Sequence, residues 1–245
     1  MVAIERNIGI VGDGGTDRAI FKKLAEVLLS DNNSSNVKWN YFELIRQHEL
    51  RTRVDEYWRK ATKANQYYLP SPHAEQLQKD AVNIISGAFT DFEVELGIGN
   101  VSSKDILLIT TDSERTLSQP EDYFQDWAFS ISKLLMGATD KFYSIKSKQG
   151  YTWEYLPLVI LIVTFPSTEI LVAAAKNLPN AKKYGIKPSD LKNSLYGTTN
   201  LSTITEAELK EKALDFITPD SIELIYRDVP ESRIFIQTLS TAKSF

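Results

Sequence analysis

Cysteine is absent from the 245-residue chain. That single fact excludes disulfides, thiolate zinc sites, iron–sulfur clusters and a cysteine nucleophile. Histidine occurs only as His48 and His73. Both stand in polar surroundings, so a histidine-rich metal site is excluded and both are expected at the surface. Basic charge is not in excess, since 28 Lys+Arg against 32 Asp+Glu leave a net −4. Contact with a polyanion would therefore need a local patch rather than a global field. Long apolar runs are missing too. Leu156 to Phe165, interrupted by Pro157 and Thr164, is about half the roughly 20 residues that a spanning helix requires. The N-terminal MVAIERNIGIVGDGG has neither the apolar stretch nor the small-residue cleavage site of a secretory signal. A soluble, cytoplasmic protein without membrane contact is expected. At 42% hydrophobic and 24% charged residues, the composition is that of an ordinary globular chain, not a disordered or coiled-coil one.

What is present alternates. Ile8 to Val11 is a short apolar run ending in Gly12-Asp13-Gly14-Gly15, a buried strand entering a tight loop. From Thr16 the period becomes helical, with Ile20, Leu24, Val27 and Leu28 on one face, Thr16 as the expected N-cap and Asp17 in the first turn. Ser30 to Asn36 reads as a loop and Val37 to Leu44 as a second strand. Residues 46–88 read as a helical insertion, broken near Pro70 and Pro72. Ile106 to Ile109 is a third strand. Ser118-Gln119-Pro120-Glu121 predicts a capping box opening a helix to about Met136. Leu158 to Val163 is the most apolar strand, and Pro166 to Glu169 opens another helix. The C-terminal part, about 167–245, is helical in character, with a capping box at Thr205-Glu-Ala-Glu208 and a helix expected over Ile222 to Tyr226. The pattern predicts one α/β domain over 1–245. Its core would be a mostly parallel sheet of about four strands covered by helices on both faces.

Ligands of such sheets sit beyond the strand C-termini, and Asp13, Asp112 and Glu169 all fall there. Asp112 and Glu114 are two apart, so an extended segment would turn both to one side. Carboxylates gathered without histidine or cysteine suit hard cations, Mg²⁺ or Mn²⁺ above all. Gly14-Gly15-Thr16 leads into a helix N-terminus, where free N–H groups attract an anion. Arg18, Arg115 and Lys187 are candidate phosphate contacts. A cation site beside an anion site is the arrangement of metal-assisted phosphoryl chemistry.

Asp13-Gly14-Gly15-Thr16-Asp17 after a strand resembles the Glu-Gly-x-Thr-Asp signature of TOPRIM domains, and Asp112-Ser113-Glu114 resembles their Asp-x-Asp motif. Lys187-Pro188, Glu169 and the Ser-x-x-Phe pattern at Ser232 to Phe235 are similar to features of stand-alone bacterial TOPRIM-like proteins of uncharacterised function, relatives of the OLD-type nucleases. The resemblance implies a TOPRIM-like fold and a Mg²⁺-dependent nuclease or phosphoesterase acting on DNA or RNA, in bacterial defence or DNA processing. Asp13 would be its general base or a metal ligand, Asp112 and Glu114 its metal ligands, and Glu169 an additional ligand. The chain departs from the signature twice: Asp13 stands where the family has glutamate, and Glu114 where it has aspartate.

Each candidate also has an ordinary reading. Asp and Gly favour a strand-to-helix turn whether or not anything binds, and Asp17 and Glu169 complement helix N-termini. Arg51, Arg53, Arg59, Lys60 and Lys63, interleaved with Tyr57 and Trp58, could track a nucleic-acid backbone or form a solvated helix face with an aromatic underside. The substituted acids leave room for a non-catalytic scaffold that binds a protein partner, or for a small-molecule phosphatase. Other motifs fail: no Walker lysine follows the glycine loop, the dinucleotide fingerprint lacks its third glycine, and Ser-x-x-Lys occurs twice as background (Ser130/Lys133 and Ser189/Lys192).

Overall fold

A computed structural model of the chain describes residues 4–30, 37–46, 49–117, 120–178, 187–196 and 205–242. Four strands alternate with helices: β1 Ile4–Val11, α1 Gly15–Leu29, β2 Val37–Glu43, α2 Leu50–Ala64, α3 Pro72–Leu96, β3 Ile106–Asp112, α4 Asp126–Lys148 and β4 Leu158–Thr164. Five more helices follow: α5 Glu169–Ala175, α6 Pro188–Tyr196, α7 Glu206–Leu214, α8 Ile222–Asp228 and α9 Arg233–Ala242. The strands form one parallel sheet in the order β2-β1-β3-β4, flanked by helices, as the alternation of apolar runs and helical periods predicts. No helix among the described residues is long and apolar enough to cross a membrane.

The chain resolves into two compact units, the first made of Met1–Val11, Asn36–Thr110 and Phe124–Ile162. It holds the body of the sheet. Ile8 pairs with both Tyr41 and Ile106, so β1 lies between its neighbours and is buried from Ile8 onward. A side chain at Gly9 could not fit: its Cβ would lie 2.9 Å from the Phe92 ring, and that absence lets α3 press onto the strand. Phe92 stacks edge-on against Phe42, and Phe89 against Phe142 of α4. The segment expected to be helical over 46–88 forms α2 and α3, and α3 runs on to Leu96 because Phe89 and Phe92 continue its apolar stripe.

The second unit comprises Gly12–Ser35, Thr111–Tyr123 and Val163–Phe245. Its core is helical: α1 packs on α7 and α9, with Phe21 edge-on to Phe235 at 5.6 Å, and α5 packs on α6 and α8. Thr205 and Glu208 cap α7 reciprocally, and Ile222 to Tyr226 is helical, both as expected.

Three boundaries differ from expectation. The N-cap of α1 is Gly14 and not Thr16, because Asp17 reaches back to accept the Gly14 N–H at 2.8 Å. Before α4, Pro120–Phe124 forms a 3₁₀ turn and the helix starts only at Asp126; Ser118 and Gln119 of the expected capping box lie outside the described residues, as does His48. That helix also runs past Met136 to Lys148, since Ala138 and Phe142 continue its buried face.

Candidate functional site

The strand-end acids belong to the second unit. Asp112, the last residue of β3, is 6% exposed, and its Oδ1 accepts from the Thr164 hydroxyl (2.9 Å), the Thr168 N–H (2.8 Å) and the Thr168 hydroxyl (2.9 Å). Thr164 ends β4 and Thr168 precedes α5, so two successive elements orient one carboxylate. Asp13 is exposed, and its carboxylate is fixed by the Thr111 hydroxyl (2.8 Å) and the Asp112 N–H (2.9 Å). Glu169 opens α5 and is 4% exposed; its Oε1 lies 3.2 Å from the Lys192 ammonium, and its buried Oε2 accepts no hydrogen bond among the described residues.

These carboxylates act on one another. Asp17, buried in the first turn of α1, has its pKa pushed up to about 6 by burial and then by the charges of Glu169 and Asp13, against the bonds from Gly14 and Thr168. Asp112 is raised well above the usual carboxylate range by burial first, then by Asp17 and Glu169. Burial alone would lower the Lys192 ammonium, but Glu169, Asp112 and Asp17 outweigh it and hold the lysine above its ordinary value. Four acids thus crowd one region, with the lysine set against them. An acidic cluster that holds its own protons up is the electrostatic state that a bound hard cation relieves.

The glycine loop is used differently from the expected anion cradle. The Gly14 N–H is committed to Asp17, Gly15 and Thr16 form the first turn of α1, and an Arg18 Nη1 lies 3.4 Å from the Gly12 carbonyl. The strand ends at Asp112. Glu114 then adopts a left-handed backbone (φ 56°), donates its N–H to the Pro166 carbonyl at 2.9 Å and is exposed. The extended geometry that would turn Glu114 to the same side as Asp112 is therefore not formed. Arg115 is half-buried behind it, with its N–H on the Ser113 hydroxyl. Lys187 is exposed, and its carbonyl starts α6 by accepting from Asp190 and Leu191.

Among the described residues, no three or more His, Cys, Asp and Glu side chains stand arranged to hold a metal ion. The reason is local. Asp13, Asp17 and the Asp112 Oδ1 are turned onto hydrogen-bond donors, and Glu169 onto Lys192.

Two site residues have no counterpart among the sequence candidates. Lys192 sits in a Ser-x-x-Lys pair that reads as background, and Tyr196 carries no motif. Their spacing of four on a helix is the available signal, though nothing in the sequence says which elements that face meets. Asp17 reads from sequence mainly as a dipole partner, and its spacing of four from Asp13 is the corresponding hint.

The basic, aromatic segment of α2 lies in the first unit. Tyr57 is buried and bonds the Ser130 hydroxyl at 2.8 Å and the Tyr67 carbonyl, and Trp58 packs edge-on against Trp127. Arg53 pairs with Glu49, Glu56 and Asp80, and Arg59 with Asp55. This is the solvated face with an aromatic underside.

No family model, no curated protein and no solved structure matches the chain.

Proposed function

We propose that the second unit is a divalent-cation site for phosphoester hydrolysis, TOPRIM-like in plan, with nucleic acid as its substrate. The observation that carries this reading is the gathering of Asp13, Asp17, Asp112 and Glu169: the charges of Glu169 and Asp13 add to burial in raising Asp17, those of Asp17 and Glu169 do the same for Asp112, and Lys192 offsets them in part. An all-oxygen donor set selects Mg²⁺ or Mn²⁺ over softer ions, and the unpartnered Glu169 Oε2 is an acceptor ready for such an ion. Asp112, Asp17 and Glu169 would hold the cation, which would polarise a phosphoryl oxygen and lower the pKa of a bound water. Lys192, now 3.2 Å from Glu169, would then be free to contact a phosphate. Asp13, exposed and oriented by Thr111 and the Asp112 N–H, would take the proton of an attacking water. Glu114 keeps a role only if its loop turns.

Nicking of supercoiled plasmid DNA with Mn²⁺ or Mg²⁺ tests the reading. Nicking should depend on the ion and fall to background in Asp112→Ala; cleavage that persists in that variant removes the mechanism.

A second reading has its own observation. With Lys192 on Glu169 and three donors on Asp112 Oδ1, the lysine can serve as a permanent substitute for the metal, leaving a scaffold that binds a protein partner. A chain of that kind gives no heat on titration with Mn²⁺.

A further inference from the structure

Lys192 and Tyr196 stand one turn apart on α6 and so share a face. The Lys192 contact with Glu169 shows that this face is turned to the acids. Tyr196 is 6% exposed, and its hydroxyl has no hydrogen-bond partner among the described residues. It lies close enough to Glu169 and Asp17 for their charges, after burial, to raise the phenol above its ordinary value, yet it bonds to neither carboxylate. A buried hydroxyl left without a partner is destabilising, a penalty that phenylalanine at this position would avoid. The phenol is thus a buried donor near an acidic cluster, without an acceptor among the described residues.

An oxygen that arrives with a ligand would supply that acceptor. The four carboxylates repel a free anion, so an anionic acceptor can enter only with a cation already in place. We infer that Tyr196 is a substrate-contacting residue, its hydroxyl donating to a non-bridging oxygen of the metal-bound phosphoryl group. This rests on the cation reading and deepens it, because it makes binding ordered, cation before phosphate. A phenol suits this role because, unlike a second lysine, it does not neutralise the acids that hold the ion.

The probe is inorganic phosphate, titrated calorimetrically into wild type and Tyr196→Phe, each with and without saturating Mg²⁺. Wild type should bind phosphate only with Mg²⁺. Tyr196→Phe should bind it about ten-fold more weakly or worse, with Mg²⁺ affinity within about two-fold and a melting temperature at or above that of wild type. Equal phosphate affinity in the two proteins overturns the inference and leaves the hydroxyl to a water molecule. A matching loss of Mg²⁺ affinity also overturns it, marking Tyr196 as structural. Wild type that binds Mg²⁺ but no phosphate refutes the contact while sparing the cation site; wild type that binds no Mg²⁺ removes both.

Discussion

Asp105 of the first unit and the acids around Asp17 in the second are buried in different company. In the first, Asp105 is 2% exposed and surrounded by donors: Asn7 N–H (2.8 Å), Asn7 Nδ2 (2.9 Å), Ser102 N–H (2.7 Å) and the Ser102 hydroxyl (2.9 Å). Asp91 nearby in sequence is only half-buried and is held by two nitrogens of the Arg46 guanidinium. In the second, Asp17 and Asp112 are buried among other carboxylates, and their protons are held up rather than released. Donors around an acid make it part of the framework, whereas acids set against acids store an unfavourable charge that an added cation can relieve.

The comparison can be broken most sharply at Asp112. Asp112→Asn keeps an oxygen for Thr164 and Thr168 but removes a charge, so metal-dependent nicking should fall about 100-fold or more, while the melting temperature holds or rises. A clear loss of stability would place Asp112 with the framework acids. Asp105→Ala should do the reverse, stranding several buried donors and lowering unfolding free energy by about 3 kcal/mol in urea titrations, with no effect on ion binding.

Next comes pH. The folded pKa of Asp17, about 6, lies above its ordinary 3.8. The native state therefore binds more protons than the unfolded one between those values. Without divalent ions, stability should fall as pH rises from about 4 to about 6, by on the order of 2 kcal/mol. Asp17→Asn should flatten that slope, and a slope of opposite sign would show a donor-rich site instead. The smallest effect belongs to an exposed pair of the first unit. Lys38→Ala, which breaks the 3.3 Å contact with Glu5, should change stability by less than about 0.5 kcal/mol, because pairing without burial contributes little.

Much of the frame is legible in the residues themselves. Ile8 to Val11 and Leu158 to Val163 announce buried strands because only both-face burial favours uninterrupted apolar runs, and Thr205 with Glu208 announces a cap by its chemistry alone. Positions decided by tertiary partners are not legible. The sequence suggests an end to this helix at about Met136, just before Gly137, but a Cβ at Gly137 would collide with the Gln78 side-chain nitrogen. It is a packing glycine, and α4 continues through it. Of the site, Asp13, Asp112 and Glu169 can be named from their places after strands. Glu114 cannot be placed that way, because its left-handed backbone is set by the bond to Pro166. Lys192 and Tyr196 gain meaning only once α6 packs on α5.

Calorimetric titration of Mn²⁺ into the wild-type chain and Asp112→Asn at neutral pH tests the central claim most directly. Saturable binding by wild type, abolished in the variant, is the predicted result. An identical flat trace from both would mean that Lys192 already serves as the cation of this cluster and that the acids hold no metal.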